Sequence, residues 1–314
     1  MSKTAVMFAG IDALDTEALR FSTLQIPEVQ RRVQQAHKFL WEETAGQVSL
    51  KDYMVSSEAD FQAQLPLKAF ICAAAQIGLF DRYLKTNSAP DYLVGCSLGD
   101  AARTVCSGAM SFEEMLYGTY LFGREGDKVT DGSVVCCKSL LSPLSAEEIQ
   151  EIEACGLDIA VYQTPVHFLV VGKNDVLHAW AADLKNQQRY LIRPLCNRPL
   201  HSHAMTGAMT STLTHFGSFK INHWNIPMVS STHRKVIETP EDLRVDMNSN
   251  MTGAVHWSST YMWMVDELQV NRFVNIGPAR TMIKFCERTP TAKSVELMDC
   301  MDLVTAEQLI PALA

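Results

Sequence analysis

The segment from Leu93 to Arg103 reads LVGCSLGDAAR, and inside it Gly95-Cys96-Ser97-Leu98-Gly99 has the G-x-S-x-G spacing. A serine so placed sits on a sharp turn between a strand and a helix, where only small flanking residues let the backbone fold back and present the hydroxyl. The context on both sides agrees. PDYLVGCS, Pro90 to Ser97, is strand-like, and the 28 residues from Gly99 to Gly126 form two helical patterns broken near Ser107-Gly108, with Ser111 and Glu114 spaced as a capping box. Ser97 is therefore the candidate nucleophile. A serine hydroxyl is inert at neutral pH, so a base has to be found elsewhere in the chain.

Working outward, Thr4 to Gly10 (TAVMFAG) is a short apolar run stopped by glycine, as expected of a buried strand, and Leu65 to Leu84 has a long apolar helical pattern. Between Asp131 and Leu195 the rhythm changes to strand (SVVCCK), helix capped by Ser145 and Glu148, two strands around Thr164-Pro165, a helix from Asn174 and a last strand (RYLIRPL). That order, βαββαβ, is a ferredoxin-like unit. NIPMVSS and NRFVNIGPARTMIKFCER then supply further strands and a helix. The expected architecture is α/β: an α/β-hydrolase-like parallel-sheet core over 1–130 and 196–314, with an inserted ferredoxin-like βαββαβ subdomain over 131–195, and a ligand cleft between them.

Composition narrows the function. The 314 residues carry 47% hydrophobic and 20% charged side chains with a net charge of −8, an ordinary globular balance that argues against nucleic acid as the main partner. No apolar run spans a bilayer and the first residues lack a signal-peptide core, so a cytoplasmic protein without a membrane partner is expected. The nine cysteines lack C-x-x-C spacing, which points to reduced thiols and no metal site. Of the nine histidines, His201 in RPLHSHAM lies where the inserted unit rejoins the core, and His203 is its rival for the role of base.

Four landmarks in order make a family resemblance specific: FAG (Phe8 to Gly10), GCSLGD (Gly95 to Asp100), LHSHAM (Leu200 to Met205) and VNIGPARTM (Val274 to Met282). The chain resembles the malonyl-CoA:acyl-carrier-protein transacylase family over nearly its whole length. The resemblance implies a Ser97–His201 dyad working by ping-pong kinetics, and an oxyanion hole made of the backbone N–H groups of Leu98 and Ile11, donors worth about 3 kcal/mol each when preorganised. It also implies a histidine oriented by a backbone carbonyl, which the AVHW segment assigns to His256. No permanent cofactor is implied, only a coenzyme A or phosphopantetheine thioester as substrate and an acyl carrier protein as partner to a monomeric enzyme.

The departures from the family concern the substrate. Malonyl-specific members place an arginine 25 residues after the serine to pair with the free carboxylate, and here that position is Phe122; the histidine beside the serine is here Cys96. Both are expected to line the acyl pocket, together with Arg198 and Leu200 from the segment before the base. A carboxylate buried there without a partner is penalised by several kcal/mol. Arg198 is a compensator by position, whereas Arg124, two residues past Phe122 on a helix, points about 200° away. The expected function is transfer of a non-malonyl acyl group through acyl-Ser97 to an acyl carrier protein in polyketide-type or fatty-acid biosynthesis. Alternatives are an acyl hydrolase that frees stalled chains, a malonyl transacylase with a relocated arginine, an inactive interaction protein, and an esterase of the ordinary α/β-hydrolase kind, which would want an acidic residue between serine and histidine. A local basic rim for an acidic carrier is sought among Arg189, Arg193, Arg198, Arg234-Lys235 and Arg280-Lys284.

Overall fold

A computed structural model describes residues 2–11, 17–22, 25–216 and 219–302. Among the described residues ten strands form two sheets. In chain order they are β1 (Lys3–Phe8), β2 (Tyr92–Gly95), β3 (Ser133–Ser139), β4 (Asp158–Tyr162), β5 (His167–Gly172), β6 (Tyr190–Cys196), β7 (Met228–Ser230), β8 (Lys235–Ile237), β9 (Val270–Ile276) and β10 (Glu296–Asp299). The larger sheet has the order β10-β9-β1-β2-β7-β8 and is parallel apart from β8, which returns antiparallel to β7.

β1 lies in the middle of that sheet, and Ala5 to Phe8 are fully buried. A central parallel strand is covered on both faces, so its side chains are apolar without alternation. The period of two instead decides which layer each residue feeds. Val6 and Phe8 join the core beneath the helices Pro27–Glu43 and Leu65–Thr86, whereas Ala5, Met7 and Ala9 join a second core with Trp257, Tyr261, Met282 and Phe285. The sheet is thus sandwiched, as the sequence pattern implies.

The smaller sheet is antiparallel in the order β4-β5-β3-β6, with the helices Ala146–Ala154 and Asn174–Gln187 in the two crossovers. This is the ferredoxin-like arrangement. The first helix starts on a capping box in which Ser145 and Glu148 exchange hydrogen bonds, at 3.2 Å and 2.9 Å. Alternation divides the sheet as it divides β1. Val135, Cys137, Phe168 and Val170 pack beneath the two helices, while Val134, Leu169 and Val171 merge with the second core of the large sheet. None of the nine cysteines is in a disulfide. Among the described residues no helix is long and apolar enough to cross a membrane.

Candidate active site

Two backbone approaches make the turn after β2 possible. A Cβ on Gly95 would come within 2.4 Å of the Asp100 N and Oδ1, and one on Gly99 within 2.2 Å of the Phe8 carbonyl oxygen. Both are far below van der Waals contact, so the two glycines are required by space. Ser97 between them has φ +56°, a left-handed conformation that costs a non-glycine residue on the order of 1 kcal/mol and is retained where the surroundings over-determine it. The result lifts its Oγ off the end of β2 and onto the start of the helix Gly99–Cys106.

His201 reaches the same point from the other side of the sequence. It has φ +61°, in a turn closed by the Ser202 hydroxyl donating to the Pro199 carbonyl at 2.6 Å. Its Nε2 lies 2.7 Å from Ser97 Oγ. The helix Pro240–Thr252 fixes it: the His201 N–H donates to the Met251 carbonyl at 3.1 Å, and Nδ1 lies 2.5 Å from the Asn250 carbonyl. The last carbonyls of a helix have no partner within it, so this end offers two free acceptors at its negative pole. A carbonyl only accepts, hence Nδ1 carries the proton and Nε2 presents a lone pair to the serine. The Asn250 side chain adds a third link, its Nδ2 donating to the Ser97 carbonyl at 2.9 Å.

The orienting carbonyl is therefore that of Asn250, and the expectation of His256 is corrected. The His256 carbonyl is consumed as the first acceptor of the next helix, taking the Thr260 N–H at 2.9 Å, and its ring stacks on Tyr162 with centroids 5.0 Å apart. Its ring is thus part of the join between the two sheets. Burial dominates the titration of His201: desolvation holds its pKa down to about 4, with the Asn250 hydrogen bond pulling weakly the other way. At neutral pH the ring is uncharged and able to take a proton from Ser97.

Ser97 opens onto a cavity of about 1110 Å³ including its mouth. Phe122, Leu200, Leu98 and Ile11 line it, and methionines 110, 115, 209, 247 and 251 form much of the remaining wall. Arg198 also lines it, with its guanidinium paired to Asp127, the residue that ends the helix Phe112–Gly126. Arg124 is absent from the lining, is half exposed and pairs with Glu125 at 3.2 Å. Cys96 does not line the cavity, which corrects its assignment as a pocket residue. Its side chain shares the parity of Val94 and is buried with it in the second core, while the cavity opens on the opposite face of the sheet. The Leu98 N–H, in the elbow formed by the turn at Ser97 and the helix Gly99–Cys106 (the elbow helix), has no acceptor among the described residues. Ile11 is followed by residues outside the described set.

Of the cations proposed for a basic rim, Arg189 is paired with Glu148 and Glu151, Lys235 with Asp242, and Arg280 with Asp302. Arg193, Arg234 and Lys284 have no acidic partner among the described residues. Sequence reasoning missed Asn250, although a polar residue in the last turn of a helix is where unpaired carbonyls occur. It also missed the buried group of Arg103, Asp100 and Asp246 behind the elbow, for which an arginine on an otherwise small-residue helix was the only trace.

No protein-family model matches the chain. A solved malonyl-CoA:acyl carrier protein transacylase from Xanthomonas oryzae superimposes with a TM-score of 0.82 over 98% of both chains, at 17% identity. The chain has the transacylase fold. A second structure with this fold, a malonyl-transacylase in complex with a type II polyketide synthase acyl-carrier protein, gives a TM-score of 0.82 at 18% identity and covers 95% of this chain and 96% of that one. In sequence, the polyketide biosynthesis malonyl CoA-acyl carrier protein transacylase BaeC of Bacillus velezensis is 22% identical over 204 residues, 63% of this chain and 69% of that protein. The highly reducing polyketide synthase fogA of Aspergillus ruber is 24% identical over 195 residues, or 60% of this chain, and the match spans 8% of that much longer protein.

Proposed function

We propose that the protein is a serine acyltransferase of the transacylase fold that accepts acyl groups without a terminal carboxylate. The observation that carries this reading is the pairing of a hydrogen-bonded Ser97–His201 couple with a cavity whose wall at 122 is phenylalanine and whose one arginine already faces a carboxylate. An acyl thioester on coenzyme A or on the phosphopantetheine arm of a carrier protein is the donor. As Ser97 Oγ attacks the thioester carbonyl, its proton passes to His201 Nε2, and the Leu98 N–H, with that of Ile11, faces the developing oxyanion. Collapse breaks the carbon–sulfur bond, and the leaving thiolate takes the proton back from Nε2. In the second half an acceptor thiol gives its proton to Nε2 and removes the acyl group by the same steps in reverse. The comparison protein seen with an acyl carrier protein supports a carrier as acceptor, and Arg193, Arg234 and Lys284, which have no acidic partner among the described residues, are cations that would meet an acidic one.

A malonyl carboxylate seated against Phe122 loses water and gains no cation. A penalty of about 3 kcal/mol for such a group corresponds to roughly 100-fold slower acylation. Phe122→Arg should restore a bidentate partner. The variant is expected to acylate from malonyl-CoA at least about tenfold faster than the parent, by stopped-time intact mass. An unchanged malonyl rate, with the other acyl groups still accepted, would refute the role of position 122.

The His201 environment sets the pH dependence. Only the uncharged ring accepts the serine proton, and burial keeps it uncharged down to a pKa of about 4. The acylation rate should therefore stay level from pH 8 to about pH 5 and fall below that. An acid limb centred at or above the ordinary histidine pKa of about 6.5 would show that the ring is not held this way.

A further inference from the structure

Behind the elbow lies a cluster that the reaction does not use directly. Arg103 is fully buried on the helix Gly99–Cys106, which begins just after Ser97. Its guanidinium donates to the Val229 carbonyl of β7 at 2.6 Å, lies 2.9 Å from Asp100 Oδ1 and donates to Asp246 Oδ2 at 2.5 Å. Both carboxylates are buried as well. Asp246 and Asn250 are four residues apart on the helix Pro240–Thr252, so they share one face. That face meets the elbow twice, through Asp246 to Arg103 and through the Asn250 amide to the Ser97 carbonyl at 2.9 Å. The same helix end supplies both backbone acceptors of His201.

We infer that Arg103, clamped between Asp100 and Asp246, is a positioning residue that sets the offset between the elbow helix and the Pro240–Thr252 helix and thereby the contact between Ser97 Oγ and His201 Nε2. This rests on the reading of Ser97 and His201 as the reacting pair. Stability alone does not account for the cluster. A guanidinium buried with two carboxylates repays little beyond its own desolvation, and apolar side chains of similar volume often serve folding equally well. What they cannot supply is direction. The planar fork donates in fixed directions to two elements beyond its own helix, β7 and the helix Pro240–Thr252, and neither leucine nor lysine can do so. An attacking oxygen displaced by even 1 Å costs on the order of 100-fold in rate, so a fixed offset here acts on chemistry at a distance.

The test separates position from stability by replacing the charged pair with an apolar one, Arg103→Met/Asp246→Leu, in the full chain. A fluorophosphonate probe reports the reactivity of Ser97 without reference to any acyl group, and peptide mass mapping locates the label. The parent should be labelled at Ser97. The double variant, shown folded by its thermal transition, should be labelled at least tenfold more slowly, with the KM for the acyl donor within twofold of the parent and kcat lowered. Arg103→Lys, which keeps the buried charge and loses the fork, should be slowed in the same way and stands in if the double variant does not fold. Parental labelling rates in either folded variant would overturn the positioning role alone. Absence of Ser97 labelling in the parent would overturn the reacting pair and the positioning role with it.

Discussion

Ser97→Ala should leave a folded protein that takes up no acyl group from any donor. The methyl of alanine fits where the hydroxymethyl was, and the left-handed backbone strain at φ +56° is the same for both residues, so the thermal transition should move by no more than a few degrees. What disappears is the bond to the acyl carbon, and with it the covalent route. Turnover should fall by about 10⁴-fold or more, the residual rate coming from whatever the oxyanion donors and binding still do for direct attack by the acceptor. Intact mass spectrometry after incubation with an acyl thioester gives the answer in one spectrum. An adduct of acyl mass on the alanine variant would mean that another nucleophile carries the group, and among nearby thiols Cys96 would be the first to map.

The second large effect is expected at His201. His201→Ala removes the acceptor for the serine proton, and general-base assistance is worth about 10²–10⁴-fold. Acylation should slow by about 10³-fold, while binding of the thioester should hardly change. The variant should also lose stability. It leaves the Asn250 carbonyl at the helix end without its imidazole donor and opens a void at a site 5% exposed, for which about 1–3 kcal/mol is the ordinary penalty. His201→Gln keeps more of the volume and a donor toward Asn250. It should recover stability and not rate, which is measured by following the Tm and single-turnover acylation side by side. Recovery of both would assign His201 a structural role only.

Much of this site was legible because the signals are local. The glycines flanking Ser97 encode a turn that no other residue fits, as the 2.2 Å and 2.4 Å approaches to a hypothetical Cβ show. The capping boxes at Ser111/Glu114 and Ser145/Glu148 mark helix starts within four residues of sequence, and the structure has both. The ferredoxin-like unit follows from the same kind of punctuation. Asn250 was not legible in that way. Which carbonyl reaches His201 depends on where one helix ends in space, and PEDLRVDMNSNMT, with its asparagines and serine, is a weak helical signal. Cys96 was misplaced for a different reason. Its neighbour Ser97 turns toward the cavity, yet Cys96 itself obeys strand parity with Val94 and faces the other core; the alternation was readable and adjacency to Ser97 obscured it. β8 and β10, of three and four residues, are edge strands too short and too polar to stand out from loops.

The second of these, the placement of Cys96, bears on specificity. With Cys96 outside the pocket, the proposed preference rests on Phe122, and the methionines and leucines of the cavity wall would extend it deeper into the cavity. Met side chains adapt to irregular shapes, which suits a flexible aliphatic chain better than a small charged one. The pairing of Arg198 with Asp127 occupies the cation that a relocated malonyl site would require.

The most direct measurement is a competition. The wild-type protein is exposed briefly to an equal mixture of malonyl-CoA and an unbranched acyl-CoA of eight carbons, quenched in acid, and weighed intact. The account predicts a single adduct of the aliphatic acyl mass, mapping to Ser97 and exceeding the malonyl adduct by about 100-fold. A malonyl adduct of equal or greater abundance would contradict it.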